Sequence, residues 1–166
     1  MESFFANTSA QLESVVVVVL AAFLGGIIGV ERDLAGKPVG IRTLMLVSGT
    51  SALLMVLAQV VAGVPPGQGN ASGTGIDPTR VIQAIVMGIG FICAGTIIRH
   101  GGGDHIEGLT TAATILAASA IGICVALNQI ILAAGTTVMT LVVLAGLRGL
   151  ERWIRLSRKS PKNQGH

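Results

Sequence analysis

Five long apolar runs follow one another with almost no charge inside them, at roughly Leu12–Val30, Thr43–Ala62, Val81–Ile98, Leu109–Leu127 and Ile130–Leu147. Each holds about 18 to 20 residues, close to the ~20 that an α-helix needs to cross a hydrocarbon core. A charge at the bilayer centre costs at least ~2.5 kcal/mol on insertion scales, and only Glu13, near the start of the first run, falls inside one. With 166 residues, of which 11% are charged, the five runs and their loops use most of the chain and leave no stretch for a soluble domain. The expected class is therefore all-α: a polytopic membrane protein with five transmembrane helices over residues 1–150 and a basic cytoplasmic tail over 151–166.

Charge sets the expected orientation. With the N-terminus outside, Arg32, Lys37, Arg42, Arg99 and the six basic residues from Arg148 to Lys162 lie inside, and of the 11 Lys and Arg only Arg80 lies outside. Positive residues favour the cytoplasmic side of short loops, so the topology is N-out, C-in. The first run lacks a basic leading segment and is followed by charges rather than a small-residue cleavage site, so it is expected to be retained. The net charge of +3 is no nucleic-acid footprint, because its excess lies in the tail, where it reads as an anchor on anionic lipid. The lipid bilayer is thus the first expected partner. Cys93 and Cys124 lie within the third and fourth runs and read as small packing residues.

Two inner loops resemble each other. Gly40-Ile41-Arg42-Thr43 and Gly108-Leu109-Thr110-Thr111 each close a loop after a Gly-rich helix end, at an offset of 68 residues. The same offset matches Ser51-Ala52 to Ser119-Ala120 and Ala58 to Ala126. Both hairpins would run out-in-out, which makes a parallel repeat of two helical hairpins about an axis along the membrane normal. Between the hairpins lies a polar Gly/Pro-rich outer loop over residues 63–79. Asp77 and Pro78 at its end suit the N-cap and first position of the third helix, and Arg80 can pair with Asp77.

Glycine occurs 23 times, often at helical spacing: Gly25 and Gly29, then Gly88 and Gly95 with Ala84, Gly90 with Ala94, and Gly122 with Ala118. Small residues let helices approach closely in lipid, so these positions are read as packing faces within the chain, as faces for a homo-oligomer or membrane-protein partner, or as both.

The polar candidates sit at the inner boundary. Glu31 and Arg32 end the first helix, Arg42 and Thr43 start the second, and Thr110, Thr111 and Thr114 start the fourth. Arg42 is expected to reach Glu31 or Asp33 across the first loop, as a specific polar site or as a pair that only sets helix depth. Glu31, Asp33, Asp104 and Glu107 together would give an acidic rim that suits Mg²⁺, which prefers carboxylate and water oxygens; the alternative is a solvated polar loop. No cofactor other than that ion is expected. Catalysis has little support: no nucleophile–base set, metalloprotease motif or phosphate-binding loop occurs, and no buried acid offers a proton relay. A pore lined by Ser48, Thr50, Ser51, Gln59, Thr96, Thr114 and Ser119 competes with hydroxyls that bond back to their own helices.

Three segments in order, GGIIGVERDLAGKPVGIRT, DPTRVIQAIVMGIGFICAGTII and GLTTAATILAASAIG, resemble the MgtC/SapB family of bacterial inner-membrane proteins over about residues 25–125. The family pattern falls on Glu31 and Arg32, on Gly40, Arg42 and Thr43, on Asp77 and Arg80, on Gly88, Gly90, Phe91, Ala94 and Gly95, and on Gly108 to Ala112. Two departures stand out. Better-studied members carry a soluble C-terminal domain where this sequence has a short basic tail, so the resemblance does not by itself carry over functions that need that domain. Ile115-Leu116-Ala117 also stands where the family usually has a Trp. The resemblance implies a non-enzymatic multi-pass protein of the inner (plasma) membrane, with a role in adaptation to low magnesium, in survival inside host cells and in modulating membrane energetics. An oligomeric Mg²⁺ channel or transporter is the competing expectation.

Overall fold

The computed structural model describes residues 2–63, 77–99 and 106–158. Five helices carry the chain: α1 (Glu2–Leu34), α2 (Ile41–Val61), α3 (Pro78–Thr96), α4 (Leu109–Ala126) and α5 (Ile130–Arg158). The first four contain windows long and apolar enough to cross a bilayer, and α5 offers an apolar stretch of 17 residues, Ile130–Gly146. At 1.5 Å per residue the 33 residues of α1 reach about 50 Å, well beyond one hydrocarbon core, so α1 runs on past the expected span toward the N-terminus. α5 likewise continues through Arg158, across the boundary at 150 between span and tail. Among the described residues the one addition to the helices is a two-residue ribbon, β1 (Ile98–Arg99) and β2 (Ile106–Glu107), antiparallel with Ile98 opposite Glu107.

The turns follow local chemistry. After α1, Gly36 adopts φ +64°, the Gly36 amide donates to the Asp33 carbonyl and the Lys37 amide to the Arg32 carbonyl. That is a Schellman stop, which needs a residue at ease in the left-handed region. Asn128 plays the same part after α4 at φ +59°, with its amide on Val125 and that of Gln129 on Cys124. Asn tolerates that region better than other side-chain-bearing residues. Gly108, at φ +91°, starts α4 so close to the Thr96 carbonyl that a Cβ there would collide with backbone.

α2 and α4 form the centre. Leu44, Ala52, Met55 and Val56 of α2 pack with Ile115, Ala118, Ile121 and Val125 of α4, together with Ala21 and Ile28 of α1. α1 lies along α2 and touches α4; α5 covers α4 and α1; α3 rests on α4 and the edge of α2. Burial is unequal: α4 buries eleven of its 18 residues, whereas Ile85 is the only buried residue of α3.

The repeat is visible in matched contacts. α2 and α4 begin 68 residues apart, each on a Gly N-cap, Gly40 and Gly108. The Ser51 and Ser119 hydroxyls, also 68 apart, bond to each other at 2.9 Å. Only residues on a two-fold axis meet their own counterparts, so the pseudo-axis passes between these serines. Gly25 seats α1 directly on the Leu44 carbonyl; at the equivalent place in the second hairpin the Cys93 thiol donates to the Ala112 carbonyl at 3.2 Å. Glycine brings the first hairpin into backbone contact, while a side chain spans the wider gap in the second. α5 has no counterpart among the described residues.

Candidate functional site

Arg32 is the most consequential polar residue. It lies in the last turn of α1, where a cation meets the negative end of the helix dipole, yet only 2% of it is exposed. Its guanidinium donates to the Thr111 hydroxyl at 3.0 Å, which ties the end of α1 to the first turn of α4. Glu31 is half-buried beside it. A buried guanidinium must be hydrogen-bonded to be tolerated, so this arrangement fixes the loop ends of both hairpins to one another. The inner polar groups read singly from the sequence are thus joined in a specific way: Arg32 with Thr111, at opposite ends of a 79-residue separation.

Of the two carboxylates expected to meet Arg42, Asp33 has a structural task of its own. Asp33 accepts the Ile41 backbone N–H at 3.1 Å. Gly40, the N-cap of α2, has no side chain to cap the helix, so the carboxylate from the preceding helix performs that task, and it occupies the place a Gly40 Cβ would take. Arg42 and Thr43 are exposed. Asp104 lies outside the described residues, as do His100 and His105. Glu107 is placed as backbone in β2. Among the described residues no three His, Cys, Asp or Glu side chains come together.

Above Arg32 the polar groups between α1, α2 and α4 are bonded inside the protein. The Ser48 hydroxyl donates to the Ala21 carbonyl of α1 at 2.7 Å, Ser51 and Ser119 bond each other, and Thr114 bonds back to the Thr110 carbonyl. Near the far ends of α2 and α4 the Gln59 amide reaches the Ala126 carbonyl at 3.5 Å. Gln59 is buried, and its carbonyl oxygen has no partner. Backbones also touch along these helices: Gly29 lies on Ile41, and Gly122 lies on the Ser48 carbonyl. Of the other hydroxyls named for a pore, Thr50 is exposed and Thr96 bonds back to the Cys93 carbonyl at 2.8 Å.

The glycines divide by helix. Gly25, Gly29 and Gly122 hold neighbouring backbones together, but a Cβ on Gly88, Gly90 or Gly95 would meet nothing within 4 Å. The expectation that these three pack within the chain is corrected: α3 lies on α4 through its other face. Thr110 is exposed. At the start of α3, Asp77 caps the helix by accepting the Thr79 N–H at 2.8 Å. Those bonds from Thr79, with the Arg80 charge adding a little, hold its carboxyl below the usual range.

The MgtC family model matches residues 18–153. YhiD of Escherichia coli K12, described by its name as a candidate magnesium transporter, is 38% identical over 133 residues, covering 80% of this chain and 59% of its own. The protein MgtC of Brucella abortus is 38% identical over 130 residues, covering 78% of this chain and 49% of its own. The protein SrpB of Synechococcus elongatus is 34% identical over 149 residues, covering 84% and 79% respectively. The chain thus spans about half to four-fifths of the length of these relatives. No solved structure matches.

Proposed function

Because the chain belongs to the MgtC family, we propose that it is a non-catalytic inner-membrane protein, N-out and C-in, that serves adaptation to low magnesium and modulates membrane energetics by contact with other membrane helices. The observation that carries this reading is the closed polar seam. Ser48, Ser51, Ser119 and Thr114 each bond within the protein, and helix backbones touch at Gly25, Gly29 and Gly122. Mg²⁺ sheds its water reluctantly and prefers octahedral oxygen coordination, which hydroxyls already bonded within the protein do not offer. Arg32, buried at the inner end of that seam, adds a repelling charge. The competing reading, a Mg²⁺ channel or transporter, draws on the name of the Escherichia coli relative and on the free carbonyl oxygen of buried Gln59.

Reconstitution separates the two. Proteoliposomes loaded with a Mg²⁺-sensitive dye should show no flux above protein-free vesicles, while the chain supports growth of a host lacking its own family member at low external Mg²⁺. Mg²⁺ entry that Glu31→Gln or Gln59→Leu abolishes would establish the transporter reading instead.

A further inference from the structure

Gln59 carries an oxygen that the fold leaves without a donor. The residue is 5% exposed; its amide nitrogen reaches the Ala126 carbonyl at 3.5 Å, and its carbonyl oxygen is buried with no partner. We propose that this oxygen is a ligand of a dehydrated Na⁺ ion, held where the C-terminal ends of α2 and α4 meet.

The sequence repeat shows that the bundle does not need an amide here. At the 68-residue offset that pairs Ser51 with Ser119, Gln59 corresponds to Leu127, which packs against the core. An apolar side chain therefore suits this register. Gln59 instead buries a polar group whose donor bond is longer than the usual ~2.7–3.2 Å and whose acceptor is unmet, a combination that costs stability. A ligand on the oxygen removes that cost.

The place sets the charge of the ligand. Gln59 lies in the last turn of α2, and Ala126 is the last residue of α4. The nitrogen and oxygen of one amide are a bond angle apart, so the oxygen lies at the ends of both helices. Each end carries roughly half a negative charge, about one unit together. No basic residue in either last turn offsets it, and Asp77 and Arg80, at the start of α3, are exposed. The carbonyls of Ala58, Val60, Ile123 and Val125 each accept a backbone N–H and keep a second lone pair, so further neutral oxygens stand in the same two turns. Helix C-terminal ends hold Na⁺ in this way in membrane transporters.

The donor set narrows the occupant. Residues 58–62 and 123–127 contain no carboxylate, whereas Ca²⁺ and Mg²⁺ draw on carboxylates and Mg²⁺ keeps several waters. An anion would meet the negative ends of two helices. The oxygen is closed off from solvent, so neither bulk water nor a side chain of another protein touches it. A bare Na⁺ ion is smaller than a water molecule and is the cation that so enclosed a neutral oxygen suits.

The test is thermal unfolding of the full chain in detergent, in N-methylglucamine chloride exchanged stepwise for NaCl, KCl or MgCl₂ at constant ionic strength. The wild-type midpoint should rise by about 3–5 °C for each tenfold increase in Na⁺ above its dissociation constant, and by less in K⁺. Gln59→Leu should fold, unfold at or above the wild-type midpoint in N-methylglucamine, and show no Na⁺ response; Gln59→Met serves the same purpose should the branched side chain disturb the fold. Ser51→Ala, on the same helix, should keep the response. In equilibrium dialysis the wild type should retain labelled Na⁺ that Gln59→Leu does not. Equal midpoints in all the salts, a response to K⁺ or Mg²⁺ in place of Na⁺, or a Na⁺ response that survives both replacements of Gln59 would overturn the proposal. Binding in detergent is read without flux or growth, so its failure leaves the family role proposed for the chain intact.

Discussion

At the scale of single residues, the structure separates glycines that a composition cannot. A Cβ at Gly122 would collide with the Ser48 carbonyl and one at Gly29 with Ile41, whereas at Gly135 it meets nothing within 4 Å. Gly122→Ala and Gly29→Ala should each lower stability by about 1–3 kcal/mol, the usual cost of overpacking, while Gly135→Ala should leave it unchanged or slightly raise it. Thermal unfolding in detergent measures all three. Arg32 belongs to the same scale. Thr111→Val removes the acceptor of a charged, buried bond and should cost about 1.5–3 kcal/mol. Combined with Arg32→Met, which replaces the buried cation by an apolar chain, it should cost less than the sum of the two single changes. Both residues stood out in the sequence as polar groups at helix ends. Their pairing did not, because which ends meet is decided by the approach of α1 to α4 and not by any local spacing. The capping role of Asp33 was not read from the sequence, because it too depends on how the loop folds back on α2.

At the scale of elements, the hairpins behave as two versions of one unit. Ser51 and Ser119 sit on the pseudo-axis, and removing one hydroxyl leaves its partner buried and unsatisfied. Ser51→Ala or Ser119→Ala alone should cost about 1 kcal/mol, and the double replacement clearly less than twice that. Additive losses would count against the bond. The start of α3 gives a pH signature. Its cap residue Asp77 has its carboxyl held low by the bonds from Thr79, so the folded value lies below the unfolded one. The contribution is complete above the unfolded pKa, ~3.9, and is lost as pH falls through the lower folded value. Acid should therefore loosen the outer end of α3, read by hydrogen exchange of its first turn, and Asp77→Asn should abolish that acid step while keeping a cap. The cap and the proline after it were plain in the sequence because capping is local chemistry. The repeat was legible as matching loops. The peripheral position of α3 was not, since its glycines are spaced like those of the buried helices and only packing tells which face meets a neighbour.

At the scale of the whole molecule, everything rests on five helices crossing the bilayer with the basic loops on the cytoplasmic side. The helices and their boundaries follow from apolar length and turn chemistry; the side proposed for each loop rests on charge alone. Lys37 in the first inner loop and Asn128 in the α4–α5 turn are both exposed and lie at opposite ends of the bundle. In a chain with Cys93 and Cys124 replaced by serine, a membrane-impermeant maleimide added to cells with a permeabilised outer membrane should label Asn128→Cys and spare Lys37→Cys, and inverted inner-membrane vesicles should give the reverse. Labelling of Lys37→Cys from the periplasm, with Asn128→Cys protected, would contradict the account.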